Sequence, residues 1–196
     1  MRSISIAGAD PKVILFHGTG GDEHDLIGLA RAIAPEHAIV SYRGIIEENG
    51  MLRWFPRRGP NVFDEAEVRE HIDRIIGALH ADHSDDEIAS SVFLGYSNGA
   101  NALAAMLQRG LPIRRAALLH PMLVLSDERV LDGVDLFVSF GERDVMVPPD
   151  ESEKLIGFFE QAGAKVSHAR LPYGHSISHA EVEAITTWFT DRSDPR

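Results

Sequence analysis

The 196-residue sequence contains no cysteine, which excludes disulfides, thiolate metal sites and a cysteine nucleophile. Basic residues are also scarce. Nineteen Lys and Arg stand against 30 Asp and Glu, a formal net charge of −11, which argues against nucleic acid or an anionic membrane as partner. No apolar run is long enough to span a bilayer, and Met1 to Asp10 lacks the apolar core of a signal peptide. The expectation is a soluble, cytoplasmic protein. What is present is an ordinary globular balance, 44 % hydrophobic and 25 % charged, with a length that suits one domain over residues 1–196. There is no internal repeat.

Short apolar runs alternate with amphipathic stretches along the whole chain. Ser3 to Ala7 alternates weakly and suits an edge strand. Val13 to Phe16, Ala38 to Tyr42, Val92 to Tyr96, Ala116 to Leu119, Leu136 to Phe140 and Val166 to Leu171 read as strands, most of them buried. Between them, Asp22 opens a predicted helix that Pro35 closes. Val68, Ile72, Ile75, Ile76 and Leu79 mark a second helix as one apolar stripe. A third runs from Ser97 to Gln108 with Gly110 as its stop, and a fourth covers Asp150 to Ala162. The last starts at the capping box Ser178 to Glu181 and ends near Thr190, and the tail from Asp191 is expected to fray. Arg43 to Gly59-Pro60 reads as a long loop rich in arginine and aromatics. This alternation predicts a mostly parallel sheet of six to seven strands with helices on both faces.

Ligands bind such sheets at the carboxyl ends of the strands, and the chemistry-bearing residues fall there. Gly95-Tyr96-Ser97-Asn98-Gly99 is a G-x-S-x-G sequence between an apolar strand and a small-residue helix, a context that pushes the serine hydroxyl out on a tight turn. A serine needs a base, and the base needs a group that fixes its tautomer. His175, in the loop after the last strand, is the best base, ahead of His179 in the helix's first turn and His168 mid-strand. Asp144, after the strand ending at Phe140, is the best acid. Asp127, Asp132 and Asp135 lie before that strand, and Asp150 suits a helix start. The backbone N–H groups of Asn98 and Thr19 are the candidate oxyanion donors. The glycine loop His17 to Gly21 lacks the endings of a nucleotide-phosphate loop. The run His80, His83, Asp85, Asp86, Glu87 reads as a solvated helix end, so no metal is expected.

These residues converge on a family. His17-Gly18-Thr19-Gly20-Gly21-Asp22-Glu23, Gly95 to Gly99, Gly141-Glu142-Arg143-Asp144 with Val147-Pro148, and Gly174 to Ser178 together resemble the serine carboxylesterases of the α/β-hydrolase fold. The likeness is to the small phospholipase/carboxylesterase group related to dienelactone hydrolases, and it covers nearly the whole chain in order. It implies Ser97, Asp144 and His175 as a catalytic triad, with Thr19 and Asn98 as oxyanion donors. Such chemistry requires no cofactor, and the length of the chain leaves no room for a large cap domain.

The expected activity is therefore hydrolysis of small carboxylic esters through an acyl-enzyme. Thioesterase or lysophospholipase action uses the same groups, and a non-catalytic ligand-binding protein of this fold is the reading from another class. Residues 43–58 should form one wall of the pocket. Gly18 and His120 are expected to line it, Trp54 and Phe55 to hold an apolar part of the substrate, and Arg53, Arg57 or Arg58 a negative one. A monomer or a homodimer fits equally.

Overall fold

In the computed structural model, which describes residues 1–191, the organising element is a seven-stranded sheet. Its strands are β1 (Ser3–Ile6), β2 (Ala9–Phe16), β3 (His37–Tyr42), β6 (Val92–Tyr96), β7 (Arg115–Leu119), β8 (Asp135–Gly141) and β9 (Lys165–Leu171), in the order β1-β3-β2-β6-β7-β8-β9. Only β1 runs antiparallel, against β3; every other pairing is parallel. A separate hairpin joins β4 (Ile46–Glu48) to β5 (Met51–Arg53). The helices are α1 (Ile27–Ile33), α2 (Glu65–Asp82), α3 (Asp85–Ser90), α4 (Asn98–Arg109), α5 (Pro149–Gln161) and α6 (His179–Thr190).

Because side chains alternate along a strand, each central strand feeds two cores. Ile14, Phe16, Phe93, Leu118, Val138 and Phe140 face α2, α4 and α5, where Ile72, Leu103 and Phe159 pack onto them. Val13, Leu15, Leu94, Leu119 and Phe137 face α1 and α6, meeting Ala30, Ile33, Ile185 and Trp188. Burial on both faces is why these strands read as continuous apolar runs. Helix α4 is buried at every position but Arg109, and Gly110, at φ +93°, caps it in the left-handed conformation that glycine adopts without strain.

Three features differ from the sequence expectation. Helix α1 starts at Ile27, not at Asp22, because Asp22 to Leu26 forms turns in which the Asp22 carboxylate accepts the N–H of His24. The long loop holds the β4–β5 hairpin, turned at Asn49 and Gly50 with φ of 53° and 75°. The polar stretch before β6 contains α3, started by a capping box between Ser84 and Glu87. Beyond Asp191, which caps α6, the tail expected to fray lies outside the described residues.

Candidate active site

Strand β6 delivers Ser97 to the carboxyl end of the sheet. The serine holds φ 52°, ψ −116°, a backbone that a residue with a Cβ rarely adopts and that a tight surround must enforce. That surround is visible. A Cβ on Gly95 would sit 2.7 Å from the Gly99 carbonyl oxygen, and one on Gly99 would strike the Phe16 carbonyl. The Ser97 N–H donates to Leu119 O at 2.8 Å, and its carbonyl accepts the first turn of α4 from Asn101 at 2.9 Å.

The structure brings Ser97, His175 and Asp144 together. The Ser97 hydroxyl lies 2.9 Å from His175 Nε2, and His175 Nδ1 lies 2.6 Å from Asp144 Oδ2. The loops carrying Asp144 and His175 touch back to back, with the Arg143 N–H donating to Tyr173 O at 2.9 Å. A side chain on Gly141 would collide with the Tyr173 and Gly174 carbonyls. Asp144 Oδ1 accepts the N–H groups of Met146 (2.8 Å) and Val147 (2.9 Å). Burial alone would raise this carboxyl. The Val147 N–H and the two histidine rings beside it outweigh burial and hold it below the usual carboxylate range. With both oxygens accepting, Asp144 fixes Nδ1 of His175 as the N–H and leaves Nε2 free to take the serine proton.

The N–H of Asn98 is the first of α4 and has no acceptor within the helix. Facing it is the turn after β2. There the Gly20 N–H donates to Leu52 O at 2.9 Å, and the Thr19 hydroxyl accepts from Arg53 Nη1 at 2.9 Å. His17 anchors the same turn. Its Nε2 accepts the Gly44 N–H at 2.8 Å, so Nδ1 carries the proton and donates to Gly18 O at 2.7 Å. Burial pushes this imidazole down from its ordinary value, in keeping with a neutral ring.

A cavity of about 50 Å³ opens in front of Ser97. Thr19, Arg53, Arg57, Asn61, Asn98 and Asn101 line its polar side; Phe63, Met122, Met146 and Val147 supply the apolar side. A larger depression of about 620 Å³, lined by Glu128, Arg129, Val130, Phe158, Gln161 and Ala162, gathers no nucleophile with a base.

Arg53 does line the cavity, but four of the other residues expected there do not. Trp54 and Phe55 are fully buried in the core. The Trp54 ring packs 4.5 Å from Phe16 and donates from Nε1 to His17 O at 2.8 Å, while Phe55 packs edge-on to Phe63. Their strong hydrophobicity, read as a grip on substrate, is spent on the core. Gly18 is buried under Tyr96, whose ring would lie 2.8 Å from a Cβ there. His120 is only 1 % exposed and lies behind Asp144, with Nδ1 3.0 Å from Oδ2. Arg58 pairs with Glu67. His179 is exposed and pairs with Glu183. Asp127 is taken up by Arg69 and Arg109. In the acidic run near α3, His80 faces Asp85 and Glu87 holds Lys12.

Some site residues went unread. Glu181 was legible only as a capping-box partner, yet its side chain is fully buried and reaches His120 and Ser139. Asn101 follows the serine by one helical turn, a spacing that could have pointed to it. Asn61 and Phe63, from the loop before α2, meet Met146, from the loop after β8, and no local pattern announces their meeting.

A family model described as phospholipase/carboxylesterase matches residues 5–191. The chain is 34 % identical over 190 residues to MhqD of Bacillus subtilis (strain 168), covering 93 % of this chain and 94 % of that one. Among solved structures, that of YahD with malic acid superposes with a TM-score of 0.89 at 30 % identity, over 96 % of this chain and 98 % of the other. The Bacillus cereus carboxylesterase superposes with a TM-score of 0.89 at 32 % identity, over 96 % and 93 %. The shared architecture is the α/β-hydrolase fold, and among the described residues no cap domain covers the sheet. With a serine on a glycine-flanked turn at the end of the central strand and a match that spans the sheet from β1 to α6, the chain belongs to the phospholipase/carboxylesterase family of ester-hydrolysing enzymes.

Proposed function

We propose that the protein hydrolyses small carboxylic esters through an acyl-enzyme on Ser97. The observation that carries this reading is the continuous hydrogen-bonded line from Ser97 Oγ through His175 to Asp144 Oδ2, with steps of 2.9 and 2.6 Å. His175 Nε2 takes the serine proton as Oγ attacks the ester carbonyl. The N–H groups of Asn98 and Thr19 hold the oxyanion that forms. Collapse expels the alcohol, protonated by His175, and leaves the acyl group on Ser97. Water then attacks the acyl carbon, again giving its proton to His175, and releases the acid.

The shallow cavity suits compact acyl groups. Its polar side carries two arginines and three asparagines and no carboxylate, although Glu48 stands 3.7 Å from each arginine. Such a lining favours esters with a polar or anionic substituent, in keeping with the small diacid in the YahD structure.

The test is hydrolysis of p-nitrophenyl esters from acetate to palmitate by the wild type and Ser97→Ala. Turnover of short esters and a loss of about 10⁴-fold or more in the variant are expected. Equal rates on long-chain esters would overturn the compact-substrate reading. Undiminished activity in Ser97→Ala would overturn the nucleophile.

A further inference from the structure

Directly behind the proposed triad, His120 is buried to 1 % exposure at the end of β7, with φ of +51°. A residue with a Cβ is costly in that conformation, and a histidine is costly to bury without partners. The partners are two carboxylates. Nδ1 lies 3.0 Å from Asp144 Oδ2, the oxygen that His175 also uses, and Nε2 lies 3.3 Å from Glu181 Oε1 and 3.4 Å from Oε2. Glu181 is itself fully buried, in the first turn of α6. It accepts the Ser139 hydroxyl at 2.5 Å and the Ser178 N–H at 3.3 Å.

An ionised carboxylate only accepts, and a neutral imidazole has one N–H to give. Both sides of His120 are satisfied together only if both nitrogens carry protons. We propose that His120 is a positioning residue, a buried imidazolium clamped between Asp144 and Glu181, which orients Asp144 and sets the pH at which His175 becomes a free base. This rests on the triad reading above.

The charge count gives the consequence. At rest the cluster holds two carboxylates and one imidazolium, and it becomes neutral when His175 takes the serine proton. The other groups facing His120 are the His175 ring at 5.1 Å and the Tyr96 ring at 5.9 Å. Tyr96 is a neutral phenol, so only His175 feels the cation as a variable. Without the His120 charge, His175 would face the two carboxylates uncompensated, and they would favour its protonated form over the free base. Burial alone would lower His120, but Glu181 and Asp144 outweigh it and raise the ring above its ordinary value.

The experiment is nitrogen-15 NMR of the wild-type histidine rings, assigned through bonds from Cβ, at pH 8, alongside the pH dependence of kcat/KM for p-nitrophenyl acetate. Two protonated nitrogens on His120 are expected. In His120→Gln the acid limb of kcat/KM should move up by about one pH unit. A neutral tautomer of His120 at pH 8 overturns the proposal. So does a folded His120→Gln that loses rate with its acid limb unmoved, the mark of a merely structural residue. The ring assignment needs no variant to fold and no activity. A wild type without hydrolysis would defeat the ester reading while the spectrum still decides the state of His120.

Discussion

The Tyr96 hydroxyl donates to the backbone carbonyl of His175 at 2.7 Å, tying the residue just before the serine to the loop that carries the base. Burial, with the charges of Asp144 and Glu181 nearby, pushes this phenol up to about 12, so it remains a donor across the working pH range. Tyr96→Phe keeps the ring and removes the tie. A fall of roughly 1 kcal/mol in stability is expected, read from urea unfolding, with a loss in kcat of about three- to tenfold as the histidine loop loosens. An unchanged kcat would mean that the loop contacts at Gly141 position His175 unaided.

His17 makes stability depend on pH with a definite sign. Its folded-state pKa is lowered by burial, so on acidification the unfolded chain takes up the proton first. Stability is lost as pH falls below about 6.5, through the window down to the folded value. His120 acts oppositely. With its pKa raised, its contribution is whole below about 6.5 and is lost as pH rises through its folded value. Urea midpoints from pH 5 to 9 should show the His17→Gln chain with a flatter acid slope and the His120→Gln chain with a flatter alkaline one.

Trp54 should matter for folding far more than for binding. Trp54→Leu removes the Nε1 bond to His17 O and the contact with Phe16 while leaving the backbone N–H that donates to Asn98 Oδ1 at 2.9 Å. A cost of about 3 kcal/mol is expected, seen as a lowered Tm. KM for short esters should stay within about twofold, since truncation of a core residue creates a cavity away from the substrate. A large rise in KM without loss of stability would restore Trp54 to the pocket.

Arg57 stands at the cavity mouth with a 38 % exposed side chain and Glu48 as its partner at 3.7 Å. If it meets an anionic substituent, Arg57→Gln should lower kcat/KM for monomethyl succinate about tenfold relative to methyl pentanoate. Rates from pH-stat titration at two salt concentrations would show it. Equal losses on both esters would assign Arg57 to shape, not charge.

Much of the molecule was legible because local chemistry dictated it. Val13 to Phe16, Val92 to Tyr96 and Leu136 to Phe140 are apolar on both sides because both faces of the sheet are covered. Gly95 and Gly99 are the only residues that tolerate the contacts on either side of Ser97. Two signals were present but unread. Asn49-Gly50 is a hairpin turn, and Ser84 with Glu87 is a capping box; both sit in polar surroundings that masked the short elements they start.

The order of the chain therefore determined the strand–helix alternation, the serine turn and the candidate base and acid, since each depends on neighbours within a few residues. Only the tertiary structure decided where side chains point once segments distant in sequence meet. It sent Trp54 and Phe55 inward because Phe16 and Phe63 offered them partners, and it left Arg53 bracing Thr19. It also closed Asp144, His120 and Glu181, from three separate loops and helices, into one buried charged cluster. No local pattern encodes that cluster, because its cost and its compensation are shared among residues up to 61 positions apart.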